Sequence, residues 1–226
     1  RAELEGTIVL RSRIVVPLSG SEAAQANAAL AAAALNGLRV DTGETLSFNQ
    51  TVGLRTSEAG YQAAEEPAYG QNVSGVGGGV CQVSTALYRL ALLGGLEIGE
   101  RNAAVYPVDY CDVGQEAAVS DQGLDLKIVN STGMPVFLTA RVYADGDGQT
   151  MELQLIGLEL DESYMLASET ETIAPPEEPI YVRDSEGRYA AYSDERIPVG
   201  EPMPGYRVTV RLISETDEKI VSQDEY

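Results

Sequence analysis

The chain contains neither histidine nor tryptophan, and only two of its 226 residues are cysteines. Histidine is the usual general base at neutral pH and the commonest metal ligand. Without it, this chain alone cannot supply a Ser-His-Asp triad or a Cys-His pair. A zinc site would have to be built from cysteine and carboxylate ligands only. We therefore expect no resident metal and no cofactor.

Basic residues are also scarce, because 15 Lys and Arg stand against 35 Asp and Glu and give a formal net charge of −20. Nucleic-acid binding needs a basic stripe that neutralises phosphates, and the sequence has none. The same charge disfavours docking on anionic lipid. The simplest interpretation of the acidic balance is solubility. A hydrophobic fraction of 44% nevertheless supports a packed core.

The order of the predicted elements favours an α+β fold, with helices packed on a mostly antiparallel sheet and a C-terminal β-hairpin extension. Residues 7–16 are rich in β-branched side chains and predict a strand. The alanine-rich stretch that follows predicts a helix, with Ser19 and Glu22 at capping-box spacing and a stop at Asn36-Gly37. A short strand is expected around Leu46.

The middle of the chain predicts a long loop followed by strands. Residues 62–80 show no regular period and predict a loop, a type of segment that is often functional. Residues 104–110 predict an extended edge segment because of Pro107. Three strands of an antiparallel meander are expected, with polar turns between them, over residues 124–130, 135–144 and 150–158.

These patterns predict that the chain is divided into three structural units. We expect a core domain over residues 1–160, an acidic Pro-rich linker over 161–180 and a β-hairpin tail over 181–226. A lone hairpin is marginally stable. The tail is therefore expected to pack on the core or to continue into chain beyond these residues.

The stretch GVGGGVCQVSTALYRLALLGG, residues 75–95, places Cys81 at the start of an amphipathic helix. Backbone N–H groups and the helix dipole stabilise a thiolate at such a position, and the same N–H groups can form an oxyanion hole. Gly78 and Gly79 would let a substrate approach closely. Two alternatives stay open: Cys81 as a small buried residue, or Cys81 bridged to Cys111.

Several blocks of the sequence resemble the VanW family in order and spacing. They include TGETLSFNQTVGLRT, GVGGGVCQVSTALYRLALLGGLEIGER, PVDY and GLDLKIVNSTGMPVFLTA, and the resemblance spans roughly residues 9–157. It is specific, because GGGVCQVST and ETLSFN occur together at the right separation. The C-terminal stretch PGYRVTVRLI is similar to the five-glycine class of extracellular adhesion modules.

The resemblance implies an exported bacterial cell-envelope protein, anchored in the membrane through a segment outside these 226 residues. Some family members are peptidoglycan L,D-transpeptidases. In these the motif cysteine, Cys81 here, forms a thioester with a tetrapeptide stem, and an acceptor amine from a neighbouring stem resolves it. The implied partner is therefore peptidoglycan stem peptide or cell wall, and the implied location is the bacterial cell surface.

This chain departs from the family pattern where a histidine usually follows the Glu-Arg pair, since Asn102 and two alanines occupy that place. General acid–base help contributes about 10²–10⁴-fold to a rate, so its loss would be severe. Asp109, Asp125, Tyr110 and Glu100 are candidate substitutes. For each, the alternative is a hydrogen-bonded structural group.

Other candidates for substrate binding each have an ordinary structural alternative. Arg55 is expected either to clamp a stem-peptide carboxylate or to form an ion pair. Gln82 is expected to donate to an oxyanion or to lie on the surface, and Ser84 to orient substrate or to cap the helix. The leading hypothesis is thus a cysteine acyl transferase. Its rivals are a non-catalytic cell-wall binding module and a purely structural domain with a Cys81–Cys111 bridge.

Overall fold

A computed structural model describes residues 6–68, 71–146, 148–174 and 204–225. These described residues form three α-helices and twelve β-strands. In chain order they are β1 (Ile8–Pro17), α1 (Glu22–Leu35), β2 (Leu38–Val40), β3 (Thr45–Ser47), α2 (Phe48–Val52), β4 (Ala63–Ala68), β5 (Gln71–Val76), α3 (Cys81–Leu93), β6 (Glu97–Glu100), β7 (Lys127–Val129), β8 (Val136–Asp145), β9 (Gly148–Leu158), β10 (Tyr164–Ile173), β11 (Gly205–Ser214) and β12 (Ile220–Glu225).

The strands assemble into antiparallel sheets. The largest has the order β1-β9-β8-β2, and two three-stranded sheets have the orders β3-β7-β6 and β10-β11-β12. Strands β4 and β5 form a separate hairpin. A strand-rich fold with mostly antiparallel pairing and few helices is compatible with the expected α+β class.

Helices α1 and α3 cover one face of the largest sheet. Paired residues of β8 and β9, such as Leu138 and Leu155, lie on that face and are almost fully buried. On α1, Ala28 and Ala31 are completely buried. Because their side chains are small, α1 approaches its neighbours closely, as its alanine content predicts. The helix is capped by Ser21, whose hydroxyl accepts from the backbone N–H of Ala24 at 3.3 Å, and not by Ser19 as expected.

The stretch predicted as a long loop contains a hairpin instead. Residues 63–68 and 71–76 pair in register from Ala63 opposite Val76 to Ala68 opposite Gln71. This pairing depends on backbone hydrogen bonds between small and polar residues. It therefore leaves no alternating apolar pattern for the sequence to show.

The expected three-stranded meander is correct for β8 and β9 but wrong for β7. Strand β7 pairs with β3 and β6 in a different sheet. The buried Asn130 explains why the chain leaves one sheet after β7 and enters another at β8. Its Nδ2 donates to the carbonyls of Val40 at 2.9 Å and Met134 at 2.8 Å. The side chain thus fixes a turn between the two sheets.

The predicted linker overlaps a strand. Residues 164–173 form β10, which pairs with β11 along its whole length. Glu169 and Glu171 made this segment resemble a polar linker, yet they accept hydrogen bonds from Arg211 and Arg207 on the neighbouring strand at 3.0 and 2.5 Å. The expected hairpin of β11 and β12 is present as part of this sheet. The rest of the predicted linker and the start of the tail, residues 175–203, lie outside the described residues.

The C-terminal sheet packs on the core, as expected for a marginal hairpin. Gln115 Nε2 donates to Ser168 Oγ at 2.9 Å. A Cβ added to Gly114 would lie 2.6 Å from Val208 and 2.7 Å from Val210, so this sheet touches the segment that follows Tyr110. Across the described ranges, none of the helices is long and apolar enough to cross a membrane.

Candidate active site around Cys81

A groove of about 770 Å³ lies beside the N-terminus of α3. Its walls come from the β1–α1 connection, the start of α3 and residues 104–110. This last segment is irregular and not a strand, which differs from the expectation of an extended edge. The lining residues are Ser19, Gly20, Ser21, Ala24, Glu65, Gly79, Cys81, Gln82, Ala104, Val105, Tyr106, Pro107, Val108, Asp109, Tyr110 and Ala118.

The glycine turn before Cys81 is shaped by close backbone packing. Gly79 has φ +98°, and a Cβ there would lie 2.3 Å from the carbonyl oxygen of Ala24 on α1. Asn27 on α1 donates its Nδ2 to the carbonyl of Gly78 at 2.9 Å. The turn is therefore fastened to α1 by both contact and hydrogen bonding. As predicted, α3 begins at Cys81.

The Cys81 thiol is half-buried and faces the groove, and its Sγ donates to the carbonyl of Val119 at 3.6 Å. Cys81 and Cys111, both within the described part of the chain, are not joined by a disulfide. The alternative of a purely structural domain with a Cys81–Cys111 bridge therefore finds no support in this geometry.

The first turn of α3 uses its backbone donors internally. The N–H groups of Gln82 and Val83 donate to the carbonyls of Gly79 at 3.2 Å and Val80 at 2.9 Å, and the N–H of Ser84 also reaches Val80 at 3.4 Å. These three groups therefore do not form the expected oxyanion hole in this conformation.

Gln82 is neither exposed nor directed at open solvent. Its Oε1 accepts from the backbone N–H of Ser19 at 2.8 Å, and its Nε2 donates to the carbonyl of Ser19 at 3.2 Å. With 4% of its surface exposed, it fixes the β1–α1 connection against α3. The hydroxyl of Ser19 in turn donates to Asp109 Oδ1 at 3.0 Å. Through this chain of contacts Asp109 is held at the edge of the groove.

Tyr110 lies against the groove close to both thiols. Burial raises the pKa of its phenol above the ordinary value, and the nearby Cys81 and Cys111 raise it further. A phenol with a raised pKa stays protonated at neutral pH, so Tyr110 can donate a hydrogen bond but is unsuited to act as a general base.

Cys111 is expected to resist alkylation in the folded protein. Burial, assisted by Glu116, raises the pKa of its thiol to about 12, so only about 10⁻⁴ of it is thiolate at pH 8. Intact mass after iodoacetamide treatment should show one adduct, on Cys81, under native conditions and two in denaturant. The Cys81→Ala variant should show none until it is unfolded. Native labelling of Cys111 at pH 8 would contradict this arrangement.

Gly78 and Glu100 lie outside the groove lining, and so do four further candidates, which are Asp125, Ser84, Arg55 and Asn102. Asp125 is buried and accepts from Ser47 Oγ at 2.6 Å and from the backbone N–H groups of Asn49 at 2.9 Å and Leu126 at 2.8 Å. Ser84 is fully buried and donates to the carbonyl of Ala117 at 2.6 Å. For Asp125 the contacts are those of the structural alternative. Ser84 is structural too, but it does not cap the helix as expected, because its hydroxyl donates to carbonyls and the N-terminus of α3 has no side-chain cap hydrogen bond.

The other two are Arg55 and Asn102. Arg55 is buried in an ion pair with Asp121, with 2.7 Å between Nε and Oδ1, and its Cβ packs against Gly77. It thus supports the glycine turn from behind. Asn102 donates to the carbonyl of Asp125 at 3.0 Å. The further substitute Glu100 is paired with Lys127, which lowers the pKa of its carboxyl.

The groove also contains residues that the sequence did not indicate. Glu65 lies on β4, in the stretch predicted as a loop, and Tyr106 lies in the irregular segment that forms another wall of the groove. Neither belongs to a motif, so only the folded arrangement brings them into the same groove as Cys81. Among the described residues, no group of three or more His, Cys, Asp or Glu side chains is arranged to hold a metal ion.

The class of protein follows from the Cys81 turn and from comparison with known families. Residues 23–154, more than half of the chain, match the family described as "VanW like protein". The chain belongs to this VanW-like family. The match ends before the C-terminal sheet, so the resemblance of that sheet to the five-glycine module stays a prediction.

Two relatives are similar over about half of the chain. The uncharacterized protein YoaR of Bacillus subtilis is 37% identical over 125 residues, which cover 55% of this chain and 41% of that protein. The vancomycin B-type resistance protein VanW of Enterococcus faecalis is 35% identical over 111 residues, covering 47% and 40%. The chain therefore spans about two fifths of the length of each. No solved structure matches the chain.

Proposed function

We propose that this protein transfers acyl groups between peptidoglycan stem peptides, with Cys81 as the nucleophile. The observation that carries the proposal is the position of the Cys81 thiol, which lines a groove of about 770 Å³ at the first residue of α3. The helix dipole favours a negative sulfur at that position. In keeping with L,D-transpeptidases of the family, the protein would be exported and act at the bacterial cell surface.

The chemistry requires two acyl-transfer steps. In the first, the sulfur of Cys81 attacks the carbonyl carbon of a stem-peptide amide, the C–N bond breaks, and the leaving amine departs with the thiol proton. A thioester remains on Cys81. In the second, an acceptor amine attacks the thioester, a new C–N bond forms, and the amine proton returns to sulfur as the C–S bond breaks. No oxidant or cofactor is needed.

The residues that line the groove can assist some of these acyl-transfer steps but not all of them. Tyr110 lines the groove, and its phenol, which is protonated at neutral pH, can donate a hydrogen bond to the oxygen that becomes negative in the first step. Asp109 lies at the same edge. Since histidine is absent, deprotonation of the acceptor amine is expected to be slow.

A second candidate function is a cell-wall binding module without turnover. It is favoured by the first turn of α3, where the N–H groups of Gln82 and Val83 and the amide of Gln82 are already engaged within the protein. An acyl transferase needs donors aimed at a developing oxyanion. Both functions use the same groove, so activity and binding must be measured on the same protein.

Replacing Cys81 with alanine is expected to abolish acyl transfer. The substrate is a tetrapeptide stem with an amine acceptor, and product is followed by mass spectrometry. The wild-type protein should also show a covalent acyl adduct on Cys81. Because the thiol forms the bond to substrate, the expected loss is at least 10³-fold, within the range for removal of a nucleophile.

The matched control is Cys111→Ser, which should retain activity because its thiol stays protonated and is not bonded to Cys81. Activity that survives Cys81→Ala would end the proposal of a cysteine nucleophile. Wild-type protein that binds purified cell wall but makes neither adduct nor product would instead support the binding module.

A further inference from the structure

Thr85 lies on α3 one turn after Cys81, on the side of the helix that meets Tyr110. We propose that Thr85 is a positioning residue, which donates a hydrogen bond to the phenol oxygen of Tyr110 and so directs the phenol proton into the groove. The inference rests on the proposed function for its consequence, which is stabilisation of the oxygen that becomes negative during acyl transfer. The direction of the hydrogen bond itself can be measured without any turnover.

The first observation is the position of the three side chains. Thr85 follows Cys81 by one helical turn, so the two side chains lie on the same side of α3. Tyr110 and Cys81 both line the groove, and the phenol of Tyr110 lies close to the thiol. Thr85 is only 2% exposed, does not line the groove, and hydrogen-bonds to the same phenol. Tyr110 thus contacts both the groove and a buried hydroxyl.

The second observation is that the Thr85 hydroxyl is held by a backbone contact. Its Oγ1 accepts from the backbone N–H of Ala117 at 2.9 Å. The hydroxyl of Ser84 donates to the carbonyl of the same residue at 2.6 Å, so α3 holds both backbone polar groups of Ala117. With an N–H placed on one lone pair, the Thr85 proton is directed away from Ala117. A buried hydroxyl proton needs an acceptor, and the phenol oxygen of Tyr110 supplies one.

The direction of this bond decides what Tyr110 can do, because a phenol has a single proton to donate. If its oxygen accepts from Thr85, that proton is available to a ligand in the groove. If the phenol donated to Thr85 instead, the proton would be used inside the protein. Acyl transfer needs a donor here, since the N–H groups of Gln82 and Val83 are bonded within the first turn of α3.

The test measures the pKa of the Tyr110 phenol in the full chain. Replacing Tyr110 with 3,5-difluorotyrosine makes the phenol more acidic and adds a ¹⁹F NMR signal that follows its ionisation. Burial raises the pKa of this phenol, and a bond donated by Thr85 opposes that by favouring the phenolate. Thr85→Val should therefore raise the pKa further, by about 1, because the donated bond is lost. Thr85→Ser keeps a hydroxyl and should return the pKa close to the original value.

Other roles of Thr85 predict a different result. If Thr85 only supported packing, its loss would admit water to the phenol and lower the pKa. The pKa would also fall if Tyr110 were the donor, because that bond favours the neutral phenol. A fall or no change in Thr85→Val would thus overturn the proposal, as would a rise that Thr85→Ser does not reverse. If Thr85→Val fails to fold by circular dichroism, Thr85→Ala removes the same hydroxyl.

Ser84→Ala is the matched control for the contact with Ala117. It removes the bond to the Ala117 carbonyl but keeps the Thr85 hydroxyl, so it should leave the pKa of the Tyr110 phenol nearly unchanged. A rise as large as that of Thr85→Val would mean that the Ala117 segment, and not the Thr85 hydroxyl, sets the state of the phenol, and would contradict the proposal.

Acyl-transfer kinetics give the catalytic readout. Thr85→Val should lower kcat about tenfold with little change in KM, because a misdirected donor is lost mainly from the transition state. In a Tyr110→Phe background it should cause no further loss, since both substitutions remove the same donated bond. Additive losses would overturn the positioning role. If the wild-type protein transfers no acyl group, the proposed function fails, while the ¹⁹F titration still decides whether Thr85 directs the phenol proton.

Discussion

Replacing Gly79 with alanine is expected to destabilise the protein by about 2–5 kcal/mol. The residue has φ +98°, a backbone conformation in which a residue with a side chain is strained. The added Cβ would also lie 2.3 Å from the carbonyl oxygen of Ala24, a backbone atom of α1 that cannot rotate away. Either the helix or the turn must move, and overpacking of this kind costs a further 1–3 kcal/mol or so. Urea unfolding followed by circular dichroism measures the change.

Gly43→Ala separates the two causes. Gly43 has φ +78°, but a Cβ there would meet nothing within 4 Å. Its substitution should therefore cost only the backbone strain, roughly 1–2 kcal/mol. Equal losses for the two variants would mean that contact with Ala24 contributes little. Because Cys81 follows two residues after Gly79, Gly79→Ala should also change the rate of Cys81 alkylation, while Gly43→Ala should not.

The parts of the fold that local sequence determines were predictable. Alanine content and the Asn36-Gly37 stop define α1, and the glycines on both sides define α3 with Cys81 at its first residue. The catalytic candidate Cys81 could likewise be found from its turn. These features depend on residues within a few positions of one another.

The rest depends on contacts between residues far apart in sequence. Gln82 could be interpreted as a surface residue or an oxyanion donor, because nothing near it in sequence reveals that Ser19 lies 63 residues away against its amide. Strand β10 presents Glu169 and Glu171 outward and so resembles a linker until Arg211 and Arg207 are seen opposite. Strand pairing carries no local signal when apolar alternation is weak.

The candidate site shows the same division. The proposed nucleophile Cys81 is predictable, whereas the other lining residues are not. Asp109 reaches the groove through an irregular segment and Glu65 through a hairpin, and neither element has a repeating sequence pattern. Glycine positions in the turn looked like access for substrate. The structure gives Gly77 and Gly79 a packing reason as well, against Arg55 and Ala24, while Gly78 accepts a hydrogen bond from Asn27 through its carbonyl.

Two substitutions of Asp125 are expected to show whether its carboxylate stabilises the fold or takes part in catalysis. Its buried side chain accepts three hydrogen bonds, from Ser47 Oγ and from the backbone N–H groups of Asn49 and Leu126. Asp125→Ala would leave these buried donors without an acceptor. Since bonds to a charged group contribute about 1.5–3 kcal/mol each and are partly replaced by water, the expected loss of stability is roughly 3 kcal/mol.

Asp125→Asn provides the discriminating variant. An amide keeps one oxygen for the backbone donors, and its NH₂ can donate to the hydroxyl of Ser47, so the loss should be only about 1 kcal/mol. If the role of Asp125 is to connect β3, α2 and β7, this variant should retain acyl transfer within a few-fold, in contrast to Cys81→Ala. If a folded Asp125→Asn protein lost activity as completely as Cys81→Ala, Asp125 would instead have a role in the reaction. We expect retained activity because the Asp125 side chain bonds to β3, to α2 and to the residue before β7, and does not line the groove.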